Sequence, residues 1–164
     1  MNCSRRFAWQ RRYCSSSNAG VGDLFDLYSE ILLDHYRLPR NKGRLEHPTV
    51  SVEGVNPLCG DDLTFDMEFE GDVLRHVRFI GKGCAISMAS ASMLTEMLEG
   101  KSVSEIEQWI KNFKAFIREG EAPEGVDMGD LTALSGISKL PVRVKCATLP
   151  WTTIEEGLQR YRGT

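Results

Sequence analysis

The sequence predicts an α+β fold, in which a small three-stranded antiparallel sheet packs against several helices in a single domain. One helical pattern precedes three consecutive strand patterns, and helical patterns then fill the second half of the chain. The 164 residues are 41% hydrophobic and 26% charged, which is typical of a globular domain with one core of ordinary size.

The first predicted helix begins at Asp23, a residue type that caps helix N-termini. It ends by Leu38, because Pro39 disfavours the helical conformation in the residue before it. Apolar side chains recur between these points with the helical period, at Leu24, Leu27, Tyr28, Ile31, Leu32 and Tyr36.

Three strands are predicted next, near residues 49–55, 62–69 and 73–80. Glu70, Gly71 and Asp72 supply the turn between the second and third strands. The second strand places alternate apolar side chains on one face, at Leu63, Phe65, Met67 and Phe69. A small antiparallel sheet with one buried face follows from this pattern.

The second half is predicted to be helical. A helix over 85–99 stops at Gly100, and Ser102 with Glu105 forms a capping-box pattern for the next one. The apolar stripe of that next helix is Val103, Ile106, Trp109, Ile110, Phe113, Phe116 and Ile117. A loop over 120–129, a short helix near 131–134, a helix entered through residues 141–146 and a last helix that begins at Pro150 complete the prediction.

The first 22 residues form a separate N-terminal extension, so the division is 1–22 and 23–164. The extension carries four arginines, a serine run and no acidic residue, which resembles an organellar transit peptide. Its arginines do not share one helical face, and a disordered extension is the alternative. Cys3 and Cys14 lie in it and are expected to have no role in the chemistry.

The charge balance and the cysteine count exclude several classes of function. A net charge of -3 and a pI near 5.7 provide no positive field for nucleic acid or an anionic membrane, and no apolar run reaches the roughly 20 residues of a transmembrane helix. Five cysteines, an odd number, favour a reducing compartment over disulfides. We therefore predict a cytoplasmic protein, or an organellar one if the extension is a transit peptide.

Three segments carry residues suited to metal or sulfur chemistry. Pro57 and Gly60 force a turn that leaves Cys59 and Asp61 exposed at its tip. Cys84 follows glycine-rich residues at a strand-to-helix junction, where the helix N-terminus favours a thiolate. Cys146 lies near a helix start beside basic residues, which also lower a thiol pKa. Taken alone, Cys59 with Asp61 is a weak signal of a metal site, and Cys84 and Cys146 are each also consistent with a buried structural thiol.

Taken together, Cys59, Asp61, Cys84 and Cys146 make a thiolate-rich set of four ligands. Such a set suits zinc or an iron–sulfur cluster and suits magnesium or calcium poorly. The separations of 25 residues from Cys59 to Cys84 and 62 from Cys84 to Cys146 are unlike the local hairpin of a zinc finger. Only the tertiary fold can assemble this site.

The same segments resemble the U-type scaffold family of iron–sulfur cluster assembly, over about residues 24–160. The matching strings are ILLDHY with PRN (31–36 and 39–41), NPxCGD (56–61), GxGCAISxASAS (81–92) and PxRxKCA (141–147). Within the family the chain is similar to the SufU branch. The segment between Cys84 and Cys146 is longer than in the IscU branch, and Lys145 stands where IscU-type proteins have histidine.

The SufU resemblance implies zinc held by Cys59, Asp61, Cys84 and Cys146. It also implies a sulfurtransferase reaction in which a SufS-like cysteine desulfurase displaces one thiolate from zinc and Cys59 accepts the persulfide sulfur, before downstream iron–sulfur assembly proteins receive it. Arg143 and Lys145 are candidates to steady the anionic site, or are simply solvated surface residues.

Two alternatives remain open at the level of sequence. One is a scaffold on which an iron–sulfur cluster is assembled and transferred, and Lys145 in place of histidine weighs against it. The other is a domain stabilised by structural zinc, which Asp61 disfavours because closed structural sites usually take only Cys and His. His35 lies on an amphipathic helix and is expected to be a structural histidine.

Overall fold

The computed structural model describes residues 21–163. The elements are helix α1 (Val21–Arg37), strands β1 (Val50–Asn56), β2 (Asp61–Glu70) and β3 (Val73–Lys82), helices α2 (Ala85–Leu98) and α3 (Val103–Glu119), a 3-10 helical connecting segment (Gly129–Lys139), and helix α4 (Pro141–Gly163). The predicted α+β class is confirmed, and each predicted strand boundary lies within two residues of the observed one.

Nearly all of the predicted N-terminal extension lies outside the described residues, together with Cys3 and Cys14. Helix α1 begins at Val21 rather than at the predicted cap, Asp23. Aspartate is also favoured within the first turn of a helix, because its charge complements the partial positive charge of the N-terminus. The sequence therefore located the first turn of helix α1, but the helix begins two residues before the predicted position.

The sheet has the order β1-β2-β3 and is antiparallel throughout. Val52 pairs with Phe65, and Phe65 pairs with Phe79, so that one row of apolar side chains crosses all three strands. This face is completely or almost completely buried at Val52, Leu63, Phe65, Met67, Leu74, Val77 and Phe79. The side-chain alternation of the predicted second strand thus sets the side of the sheet on which the core lies.

Helices cover the buried face of the sheet. Helix α4 lies against β1 and also packs on α2 and α3, while α1 packs on α2. The Trp151 ring stacks on Phe113 with centroids 4.3 Å apart, which joins α4 to α3 at the centre of the core. None of the described helices is long and apolar enough to span a membrane.

The predicted short helix near 131–134 is instead a longer 3-10 segment, Gly129–Lys139. Its buried side chains are Leu131, Leu134 and Ile137, spaced three residues apart. A 3-10 helix has three residues per turn, so this spacing puts all three on one face. Gly129 and Gly136 further reduce the preference for an α-helix.

The prediction that Pro150 begins a separate helix was wrong, because α4 runs without interruption from Pro141 to Gly163. Proline inside a helix removes one backbone hydrogen bond and costs about 3 kcal/mol. Trp151, Ile154 and Leu158 are buried just beyond it. Since burying each such side chain contributes about 1.5–3 kcal/mol, packing outweighs the cost of the proline and keeps the helix continuous.

Candidate metal centre

Three separate parts of the fold meet at the predicted site. The turn between β1 and β2 carries Cys59, the start of α2 follows Cys84, and the second turn of α4 carries Cys146. Gly60 has a φ of 70°, a left-handed conformation that glycine adopts without strain. This glycine lets the turn reverse between the half-buried Cys59 and the first residue of β2, Asp61.

Asp61 is completely buried, so the prediction that it is exposed at the tip of the turn was wrong. Its Oδ1 accepts hydrogen bonds from the backbone amide of Cys84 at 2.8 Å and from the Ser87 hydroxyl at 3.0 Å. The Asn56 amide group lies 3.4 Å from Oδ2. A buried carboxylate is costly unless it is hydrogen-bonded, and these donors explain how the fold holds one here.

Cys146 is completely buried and its Sγ lies 2.8 Å from Sγ of Cys59. One ligand atom from each of Cys59, Asp61 and Cys146 fits within 4.8 Å of the others. Cys84 borders this trio, because its amide binds Asp61 and its thiol interacts with that of Cys146. The fold therefore brings all four predicted residues to one place, with Cys84 outside the most compact group.

The donor set fits a soft divalent metal ion. Burial raises the pKa of the Cys146 thiol far above its usual range, and hydrogen bonds with Cys59, Asp61 and Cys84 raise it further. These neighbours disfavour the thiolate because they crowd several acidic groups into a space shielded from water. A bound cation reverses that effect, since a thiol that coordinates a metal ion is deprotonated outright.

Arg143 lies on the solvent side of the thiols. Interaction with the Cys146 side chain, and then the charges of Cys84, Cys146 and Cys59, raise the pKa of Arg143 above its usual value, which indicates that its guanidinium is near all three sulfurs. Lys145 is exposed and forms no ion pair within the part of the chain that the structure describes. Of the two basic residues that the sequence singled out, Arg143 is therefore the one that the charges of the site are shown to affect.

Sequence reasoning gave no role to Asn56 and Ser87, although both belong to the motifs around the cysteines. Asn56 is 7% exposed, and its side-chain nitrogen lies 3.7 Å from Sγ of Cys146 as well as 3.4 Å from Asp61. Ser87 is completely buried and donates to Asp61. Their position directly beside predicted ligands was the available signal, because buried polar residues next to a site usually orient its ligands.

The comparisons with known proteins identify the family. The sequence profile of the NifU-like N terminal domain matches residues 27–164. The chain belongs to this family.

Two relatives match most of the chain. The chain is 41% identical to the zinc-dependent sulfurtransferase SufU of Bacillus subtilis, over 86% of this chain and 95% of the relative. It is 37% identical to the iron–sulfur cluster assembly scaffold protein IscU of Thermotoga maritima, over 82% of this chain and 94% of the relative.

A solved structure from Fervidobacterium islandicum agrees with the family assignment. That structure, described as a candidate iron–sulfur cluster assembly scaffold protein for the SUF system, superposes with a TM-score of 0.75. The match has 37% identity and covers 80% of this chain and 96% of that one. Both the sequence and the fold thus support the U-type resemblance drawn from the motifs.

Proposed function

We propose that this protein is an iron–sulfur cluster assembly protein of the SufU type, which accepts persulfide sulfur from a cysteine desulfurase on Cys59. The observation that carries the proposal is the placement of a half-buried thiol, Cys59, 2.8 Å from the buried thiol of Cys146 and next to the buried Asp61. The similarity to the Bacillus subtilis zinc-dependent sulfurtransferase supports it.

Zinc is the metal that we assign to Cys59, Asp61, Cys84 and Cys146. When bound, zinc would keep the thiols deprotonated and protect them from oxidation. Asp61 is fixed by Ser87 and by the amide of Cys84, and Cys146 is buried in α4. Cys59 and Cys84 are both half-buried, but Cys59 lies on a turn whereas Cys84 directly precedes helix α2, and this suits Cys59 to leave and to react.

The reaction requires no external oxidant or reductant. The Cys59 thiolate attacks the outer sulfur of a persulfide on the desulfurase, and a new sulfur–sulfur bond forms on Cys59. The sulfur–sulfur bond on the desulfurase breaks, and its cysteine leaves as a thiolate. Arg143 lies close enough to all three thiols to stabilise the negative charge that moves between sulfur atoms.

The surface near Cys59 suits docking of another protein. Leu58 and Val142 are 68% and 59% exposed, and they flank Cys59 and Arg143 in the sequence. Contiguous exposed apolar patches mark interaction sites, and we infer that these two side chains contribute to one beside Cys59. A desulfurase that covers them would bring its persulfide to Cys59 and exclude water from the transfer.

The second candidate function is a scaffold on which an iron–sulfur cluster is assembled as cargo. The observation in its favour is the donor set itself, since three cysteines can hold a cluster as well as zinc. The exposed Lys145 supplies no imidazole ligand to such a cluster. Metal analysis of aerobically purified protein distinguishes the two, because a zinc protein is colourless and a cluster protein is brown.

The decisive experiment measures desulfurase turnover and sulfur transfer with variants. Cys59→Ser is expected to abolish the stimulation of a cognate desulfurase while the protein still folds. Asp61→Ala is expected to weaken zinc binding and to retain some sulfur uptake, because the acceptor thiol remains. Cys14→Ser, which removes a cysteine that the proposed ligand set does not include, is the matched control and should behave like the wild type.

Mass analysis of the peptides completes the test. We expect an added sulfur atom of about 32 Da on the peptide that contains Cys59. An added sulfur only on the Cys146 peptide would show that Cys59 is not the acceptor. Unchanged turnover in every variant would show that this protein is not the partner of that desulfurase.

The proposed reaction belongs in a reducing compartment, because persulfides and free thiolates survive there. We assign it to the cytoplasm, with an organelle as the alternative if residues 1–22 are a transit peptide. Fluorescent fusions with and without these residues distinguish the two locations.

A further inference from the structure

A second group of metal-ligand residues lies outside the cysteine site. His35 of α1, Glu96 of α2 and Asp130 of the connecting segment each offer one ligand atom, and the three atoms lie within 4.8 Å of one another. His35 is only 1% exposed, whereas Glu96 is exposed and Asp130 is partly buried. The group is therefore accessible to solvent at Glu96 and buried at His35.

The orientation of His35 is fixed on both sides of its ring. Nε2 lies 2.8 Å from Oδ2 of Asp130, and Nδ1 lies 2.8 Å from Oγ of Ser92. Ser92 is completely buried, and its Oγ also accepts a hydrogen bond from the backbone amide of Arg40. Histidines that bind metals usually have such a partner on the second ring nitrogen, and Ser92 has that position here.

The two carboxylates of the group lack basic partners. Among the described residues, no lysine or arginine forms an ion pair with Glu96 or Asp130, and the contact of Asp130 with the His35 ring is an ion pair only when that ring is protonated. Two carboxylates this close repel each other unless a cation lies between them. A divalent ion would balance their two charges, and the neutral imidazole would add a nitrogen ligand.

We propose that His35, Glu96 and Asp130 form a second metal site, which takes one divalent first-row transition-metal ion with water in its remaining positions. Bonds of about 2.1 Å place neighbouring ligand atoms about 3.0–3.5 Å apart. The 2.8 Å His35–Asp130 contact would therefore open slightly, and the Glu96 oxygen, which lies within 4.8 Å of the other two ligand atoms, would move to the same spacing. One imidazole and two carboxylates suit manganese or zinc, while the cysteine site prefers softer metals.

Binding requires a defined proton rearrangement. The lone pair of Nε2 binds the metal, and the imidazole proton is on Nδ1. The Nδ1–H group then donates a hydrogen bond to Ser92 Oγ. The Ser92 hydroxyl would then accept from both His35 and the Arg40 amide, and its own hydrogen would turn away from Nδ1. The hydrogen bond between His35 and Asp130 is replaced by two bonds to the same ion.

The site would join three elements of the fold. Asp130 belongs to the connecting segment, which leads directly into α4 and its ligand Cys146. A metal ion bound to α1, α2 and this segment at once would hold the segment against the helices. We therefore expect metal binding to slow amide hydrogen exchange within 129–139.

The experiment uses the full chain with its cysteine site already filled by zinc, and Mn²⁺ as the probe. Free Mn²⁺ is measured from its electron paramagnetic resonance signal during a titration. We expect about one tightly bound Mn²⁺ per chain, with affinity reduced at least tenfold in Glu96→Gln. Glu121→Gln, which neutralises an exposed carboxylate on the neighbouring loop, is the matched control and should bind like the wild type.

Pulsed resonance experiments identify the nitrogen ligand. The bound Mn²⁺ should show a coupling to an imidazole nitrogen that is absent in His35→Gln. Equal binding by the wild type and Glu96→Gln, or an equal loss in Glu121→Gln, would overturn the proposal. Because Glu96 is exposed, its variant is expected to fold even if substitution of the buried His35 does not permit folding.

Discussion

The backbone amide of Cys84 donates a 2.8 Å hydrogen bond to Oδ1 of Asp61, and this bond joins the start of α2 to the start of β2. The same oxygen accepts the Ser87 hydroxyl. One buried carboxylate thus fixes the relative position of two of the candidate ligands before any metal binds. The consequences of changing it can be measured directly.

Asp61→Ala should destabilise the metal-free protein by about 1–3 kcal/mol, because it leaves the Cys84 amide without its acceptor, while the Ser87 hydroxyl keeps only the Cys84 carbonyl. Asp61→Asn keeps an oxygen acceptor of similar shape and should cost less. Both should weaken zinc binding, since neither supplies a carboxylate. Urea unfolding of the metal-free proteins and competition with a chelator measure the two effects. Equal stability of the two variants would contradict the acceptor role.

Gly83→Ala should disturb the site without changing a polar group. A Cβ atom at Gly83 would lie 2.8 Å from Oδ1 of Asp61 and even closer to Oγ of Ser87. Such crowding typically costs about 1–3 kcal/mol. Gly136→Ala is the control, because a Cβ there has open space around it. We expect thermal unfolding and zinc affinity to fall in the first variant alone.

Asp66 should make stability depend on pH in acid. It is completely buried, and burial by itself raises the pKa, but hydrogen bonds from Arg44, Ser51 and the amide of Leu45 outweigh that effect and hold the pKa of Asp66 below 3.8. The stabilisation is fully present above pH 3.8 and is lost as the pH falls toward the lower folded-state value.

Asp66→Asn should therefore lower the free energy of unfolding at pH 7 and reduce its decline below about pH 4. Glu53→Gln, at an exposed position on β1, is the control and should leave the acid decline unchanged. Chemical unfolding between pH 2 and pH 7 supplies the measurement. A decline of the same steepness in Asp66→Asn and the wild type would refute the assignment.

Ser102 should stabilise α3 through its cap. Its Oγ accepts from the amide of Glu105, and the Glu105 carboxylate accepts from the amide of Ser102. Ser102→Ala is expected to cost about 1 kcal/mol. Ser104→Ala removes a hydroxyl from the same turn but leaves the Glu105 amide with its acceptor, so thermal unfolding should shift much less.

The sequence by itself determined the three strands and the first three helices of this protein, since local chemistry and periodic burial specify them. The alternation of apolar and polar side chains along β2 predicted which face of the sheet is buried, and the Ser102–Glu105 capping pattern predicted the start of α3. The motifs around Cys59, Cys84 and Cys146 also identified the candidate site, because glycines and helix starts position thiols in recognisable ways. None of these features requires knowledge of distant contacts.

Only the tertiary structure decided what surrounds those residues. Asp61 is buried because Asn56, Ser87 and the amide of Cys84 enclose it, and no local pattern reports those contacts. Helix α4 continues through Pro150 because α2, α3 and the sheet bury its face. His35 meets Asp130 across 95 residues of sequence. Burial and long-range pairing are properties of the folded chain, and for that reason they override local propensity at these positions.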